Sequence, residues 1–71
     1  MSFNEWYLLA MNEWYVQKNH SERMGQFLYN NCYYNPLMRP VLNAIDTDKD
    51  PFNDDMKIPM FLTFLMEAWR E

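Results

Sequence analysis

Residues 2–18 read SFNEWYLLAMNEWYVQK, and their spacing decides the fold class. Phe3, Trp6, Tyr7, Ala10, Met11, Trp14 and Lys18 fall at i, i+3, i+4, i+7, i+8, i+11 and i+15. On a 3.6-residue period these positions share one face, which predicts an amphipathic helix from Ser2 to about Lys18. Ser2 and Glu5 have the spacing of a capping box. Lys18 ends the stripe where a cation complements the helix dipole. The tetrapeptide Asn-Glu-Trp-Tyr occurs at 4–7 and again at 12–15. An offset of eight residues turns a helix by about 80°, so the two copies face differently and are an echo of the pattern, not a structural repeat.

Helix-period signals continue along the chain. Asn19, His20 and Ser21 interrupt them, with Ser21 placed to cap a second helix over Glu22–Tyr34. Met24, Phe27, Leu28 and Asn31 lie near one face of it, joined less regularly by Cys32 and Tyr34. Gly25 inside a helix costs roughly 1 kcal/mol against Ala and points to a close helix–helix approach. Asn35-Pro36 has the form of an N-cap followed by Pro at the first helical position. A short third helix follows with Leu37, Val41, Leu42 and Ile45, its start delayed or distorted by Pro40. A last helix runs from Met56 or Pro59 to Arg70, with Ile58, Phe61, Leu62, Leu65 and Trp69 on one face and Asp54 or Asp55 as its cap. No stretch alternates with period two, and a single Gly leaves few tight β-turns. The predicted fold is all-α, a compact bundle of three main helices plus one short helix, with an acidic loop before the last helix and residues 1–71 as one domain.

Seventy-one residues with 18% aromatic content exclude a disordered acidic tail. The lone cysteine, Cys32, forbids an intrachain disulfide, and one His with one Cys supplies poor material for a metal staple. The core is therefore closed by aromatic and Met packing, or by pairing in a homodimer. No basic leader and no apolar run of about 18 residues is visible, so a soluble cytoplasmic protein is expected, with no membrane contact. The net charge of −4 resides in Asp46–Asp55, which holds five acids and one Lys, while the other residues carry five acids and five bases. Without a basic face, direct nucleic-acid binding is not expected.

Asp46, Asp48, Asp50 and Asp54 occupy positions 1, 3, 5 and 9 of a calcium loop, but Pro51 stands where Gly is required and Lys57 where a bidentate Glu is required. A solvated loop with capping aspartates fits better, and no metal or cofactor is expected. Glu5 and Glu13 read as solvated acids, not as a glycosidase pair. Cys32 and His20 lack a third orienting group, so no catalytic residue is assigned and the chain is not expected to be an enzyme. The seven Met residues are assigned mainly to the core, Met60 and Met66 among them, with an adaptable binding face as the alternative. Tyr29, Tyr33 and Tyr34 span more than one face of the second helix, and their hydroxyls require water or partners. Together with Asp46, Asp48 and Asp50 they form the candidate interface.

Arg23-Met24-Gly25-Gln26, Asn30, Asn35-Pro36, Asp50-Pro51-Phe52-Asn53-Asp54-Asp55, Ile58-Pro59-Met60-Phe61 and Trp69 occur in that order. Over about Glu22–Trp69 this combination resembles a group of small uncharacterised helical proteins encoded by bacteriophages. The resemblance implies a small helical phage or prophage protein and implies no activity. The residues themselves read as a fold device. Arg23 or Gln26 would bond the acidic turn, Phe52 would plug the core, and Asp50 before Pro51 would be held extended. The expected function is a non-enzymatic phage accessory protein that binds, and inhibits, a host or defence protein. An acidic mimic that blocks a nucleic-acid-binding protein through residues 46–55 is the alternative.

Overall fold

In the computed structural model, which describes residues 1–71, four α-helices and no strand form the chain. They are α1 (Phe3–Val16), α2 (Met24–Tyr33), α3 (Arg39–Asn43) and α4 (Ile58–Ala68). Two short 3-10 turns, Thr47–Lys49 and Asp55–Lys57, lie between α3 and α4. The all-α reading therefore holds, with three long helices and one short one.

Each helix begins for a different reason. At α1 the capping box forms as expected: Glu5 N–H donates to Ser2 Oγ at 3.1 Å and Ser2 N–H donates to Glu5 Oε1 at 3.0 Å. The Ser2 N–H, with the Ser2 hydroxyl second, holds the Glu5 carboxyl below its usual range. The helix stops at Val16, two residues short of Lys18, where Gln17 turns extended. His20 folds back over that end. Its ring stacks on Trp14 at 3.6 Å, and Nε2 lies 2.8 Å from the Trp14 carbonyl oxygen, one of the acceptors that a helix end leaves unpaired.

The second helix starts later than Ser21 would place it. Arg23 is the N-cap residue in extended conformation and gives no side-chain cap. The cap comes instead from Asp55, thirty residues on, whose Oδ1 accepts the Gly25 N–H at 2.9 Å. Arg23 reaches the same turn, with Nη2 donating to the Phe52 carbonyl and Nε 3.7 Å from Asp55 Oδ1. Gly25 is needed for closeness to a loop, and not for the expected helix–helix approach. A Cβ there would overlap the Pro51 carbonyl oxygen and stand 3.0 Å from Pro51 Cβ.

Pro40 delays α3 as anticipated. Asn35 does not cap it. Its Oδ1 takes the Leu37 N–H at 2.9 Å in a local turn, and the helix begins only at Arg39 with Pro40 in its first turn. At α4 the two candidate caps divide their work. Asp54 caps the 3-10 turn leading into the helix through the Met56 N–H, while Asp55 turns away to α2. Asp50 is extended, as a residue before Pro must be, and its carboxylate accepts the Phe52 N–H.

All four helices feed one core. Trp6 and Ala10 come from α1, Phe27, Leu28 and Cys32 from α2, Val41 and Leu42 from α3, and Phe61 and Leu65 from α4, with Met38 just before α3. Pro51 is also fully buried. It is the plug of the acidic turn; Phe52, expected in that role, is half-buried and meets Tyr29 edge-on at 5.7 Å. Buried polar edges are paired: Trp6 Nε1–H donates to Asn31 Oδ1 at 2.9 Å. Trp69 packs on Trp6 and Phe3 and donates its indole N–H to the Met1 carbonyl, so the two ends of the chain close on each other.

Gly25→Ala is expected to lower stability by about 1–3 kcal/mol through overpacking, the opposite of the roughly 1 kcal/mol gain that Ala gives at an ordinary helix position. Asp55→Ala is expected to cost about 1–2 kcal/mol as a lost cap, and Asp55→Asn less, since the amide oxygen still accepts. Urea unfolding followed by Trp fluorescence measures all three. A Gly25→Ala protein more stable than the parent would contradict the close approach to Pro51.

Candidate functional site

The predicted interface divides when the side chains are placed. Tyr29 and Tyr33 are half-buried and stack on each other at 6.2 Å. Tyr29 also contacts Phe61, and Arg39 sits over the Tyr33 ring at 5.2 Å while donating from Nε to the Tyr33 carbonyl. Burial, with the nearby Asp50 charge second, pushes the Tyr29 hydroxyl above its ordinary value. Both rings thus pack on the protein's own residues while part of each side chain still reaches solvent. Tyr34 alone of the three is exposed, at 79%, and it borders a different feature.

That feature is a polar cleft of about 410 Å³ between the end of α1 and α2. Glu13, Glu22, Asn30 and Asn31 line it with Tyr34, above Phe27. Asn30 donates to Glu22 at 2.7 Å and Asn31 to Glu13 at 3.3 Å. Asn30, one of the motif residues, thus ties the strand of chain before α2 to the helix. Of the two residues that could bond the acidic turn, Arg23 or Gln26, the structure uses Arg23.

The acidic loop is consumed by its own geometry. Asp50, Asp54 and Asp55 each accept a backbone N–H, from Phe52, Met56 and Gly25 respectively. Asp46 lies 3.9 Å from Lys49, and Asp48 is exposed. Three of the five carboxylates therefore shape the turn, and Asp46 and Asp48 are left outward. No three His, Cys, Asp or Glu side chains converge in a way that could hold a metal ion.

Cys32 and His20 are not brought together. Cys32 is fully buried in the core, and burial pushes its thiol up to about 12, so the nucleophilic thiolate is not accessible at neutral pH. His20 is exposed and engaged with Trp14. Glu5 is held by Ser2, and Glu13 by Asn31, on separate turns of α1.

Two surfaces were missed or misassigned in the sequence. The first is the outer face of α4. Met60 and Met66, assigned to the core, are 51% and 59% exposed, and Met56 just before the helix is 87% exposed. Met38 is the methionine that the core takes whole. Beside this face lies a groove of about 370 Å³ between the Thr47–Lys49 turn and α4, lined by Lys49, Pro59, Met60, Thr63, Phe64 and Glu67. The Lys49 ammonium stands 5.6 Å from the Phe64 ring centre, and Lys57 donates to the Thr47 carbonyl at 3.2 Å, which fixes the turn against the helix. The second surface is the outer face of α1, where Leu8, Leu9, Tyr15 and Val16 are exposed. The signal for both was present: apolar residues at positions outside the buried stripe of the same helix.

The raised Cys32 thiol has a sign that can be checked. The folded state keeps that proton between the ordinary value near 9 and about 12, whereas the unfolded chain loses it. Stability is thus unaffected by this group below pH 9 and falls as pH rises through the window. Tyr29, also raised, acts in the same direction. Urea midpoints at pH 7, 9 and 11 are expected to decline over the last interval, less so in Cys32→Ala. A thiol reagent at pH 8 is expected to label the native protein no faster than it unfolds, and rapid labelling would contradict the sealed core. Compared with models of protein families, with curated proteins and with solved structures, the chain has no match.

Proposed function

We propose that this protein is non-enzymatic and acts by binding another protein through the outer face of α4. The observation that carries the reading is the exposure of Met56, Met60 and Met66, with Met60 lining the groove under Lys49. A chain that fills its core with Trp, Phe and Leu gains nothing in stability from apolar side chains held in water. Unbranched thioethers re-pack cheaply, which suits a surface that moulds itself to a partner. Lys49 and Glu67 at the groove edges supply one charge of each sign for orientation. No helix is long and apolar enough to cross a membrane. The resemblance to phage-encoded helical proteins supports a setting in the cytoplasm of an infected bacterium, where the partner is a host or defence protein and binding inhibits it. The acidic-mimic alternative gains no support from a loop in which three of five aspartates bond to backbone.

Methionine methyl labelling tests the reading directly. In a bacterial lysate the methyl signals of Met56, Met60 and Met66 are expected to shift or broaden, while that of buried Met38 is not. Met60→Glu is expected to weaken capture of the same partner at least tenfold, with the melting temperature unchanged because the residue is exposed. Equal capture by the parent and by Met60→Glu would reject α4 as the docking surface.

A further inference from the structure

The sulfur atoms of the chain fall into distinct environments. Met38 is fully buried, and its Sδ accepts the Arg70 N–H at 3.4 Å. Cys32 is fully buried as well. Met11 and Met24 are half-buried against the core. Met56, Met60 and Met66 are more than half exposed, and Met1 is the one other methionine that is. Three of the four open thioethers therefore belong to one part of the surface. Met60 stands four residues beyond Met56, and Met66 a heptad beyond Pro59, which lines the groove under Lys49. Those spacings place them on the side of α4 away from Phe61 and Leu65, its two buried residues.

We propose that Met56, Met60 and Met66 form an oxidation site, at which hydrogen peroxide converts the open side of α4 from apolar to polar while the fold stays intact. In the step, the sulfur lone pair attacks one oxygen of the peroxide. An S–O bond forms and the O–O bond breaks. The proton of the transferred oxygen leaves with the departing hydroxide as water. Sulfur gives up two electrons, and the peroxide takes them. The product is methionine sulfoxide, which is polar and chiral, and sulfoxide reductases return it to the thioether.

Access decides which sulfur reacts. A low-pKa, accessible Cys thiolate is the usual target of peroxide. Here the lone thiol is sealed in the core and its proton is held tightly by burial. Met38 is sealed too. The fold does not depend on the three open methionines, since none belongs to the core. At Met56 the bond to Asp54 is made by the backbone N–H, not by the side chain. The surface does depend on them. Each added oxygen turns a side chain that sheds water into a hydrogen-bond acceptor, which is costly to bury unpaired. Lys49 lines the same groove as Met60 and offers that oxygen a donor in the free protein. A protein docked on α4 is therefore released by oxidation. This consequence rests on the reading of α4 as the docking surface; the oxidation site itself does not.

Hydrogen peroxide treatment of the full chain, read by peptide mass spectrometry, tests the site. Met56, Met60 and Met66 are expected to take up oxygen at least about tenfold faster than Met38, and as fast as Met1. Helical content and melting temperature are expected to stay unchanged, while retention on a phenyl column falls. A variant carrying Met56→Leu, Met60→Leu and Met66→Leu is expected to show no such fall, whatever its retention before treatment. Capture of a partner from bacterial lysate is expected to drop at least about tenfold once the parent is oxidised. Met38 reacting as fast as Met60, or helix lost in step with oxygen uptake, would overturn the site. So would a fall in retention as large in the Leu variant as in the parent. Undiminished capture by the oxidised parent, with capture lost in Met60→Glu, would overturn the release. Equal capture by the parent and Met60→Glu before any peroxide is added rejects the docking reading instead, and the site is then decided by the oxidation rates and the column.

Discussion

The contact on which the molecule depends is the one between Gly25 and the Pro51–Asp55 turn. Asp55 supplies the cap that α2 lacks in its own sequence, and Gly25 alone lets the turn come near enough to do so. Arg23 closes the arrangement from the other side through the Phe52 carbonyl. The ion pair between Arg23 and Asp55 is half exposed and contributes under about 1 kcal/mol. The weight therefore falls on the charge-assisted hydrogen bond to Gly25 and on the burial of Pro51 behind it. Because the turn leads straight into α4 through the Asp54 cap, one junction sets where α2 begins, how the acidic loop folds, and the angle at which α4 enters the core.

Local signals in the sequence were sufficient where the partner was local. The Ser2–Glu5 box, the α1 stripe, the extended Asp50 and the core face of α4 all follow from spacing within a few residues. Ser21 and Asn35 failed as caps because other bonds won. Arg23 and Asp55 draw the start of α2 two residues later, and Asn35 satisfies a local turn before Pro40 permits a helix. Gly25 was legible as a close approach but not as an approach to a loop, since sequence cannot say which element arrives. The motif offers Arg23 or Gln26 as the bond to the acidic turn, and Arg23 makes it; the role of Asp55 as a cap for the other helix has no local signal.

The aromatic residues show a similar division. Trp6, Phe27 and Phe61 are buried, and Trp69 seals the ends of the chain against Phe3 and Trp6. The two copies of one tetrapeptide sit at different depths: Trp6 is buried where Trp14 is half-buried, and Tyr7 is half-buried where Tyr15 is exposed. Tyr29 and Tyr33 were assigned to a binding surface because a hydroxyl resists burial. They meet that constraint by half-burial, with their rings on Phe52, Phe61 and Arg39. Residue type predicts this amphipathic placement correctly, and the neighbours determine how each ring is held. Methionine failed in the other direction, because apolarity alone does not distinguish a core position from a docking face.

The two exposed apolar faces differ in stiffness, and this is a reason to give them different partners. Val16 is β-branched, and Leu8, Leu9 and Tyr15 each have only two side-chain torsions to fix, so such a face loses little entropy when it meets one defined geometry. The methionines of α4 have three rotatable bonds each and no branching, so they lose more entropy on contact but adapt to more shapes. A face that loses little entropy on contact favours a partner of one fixed shape. An adaptable one favours a partner whose surface was not built in register with it. In a chain with only 12 of 71 residues buried, much apolar surface stays in water after folding, and these two faces hold most of its large side chains.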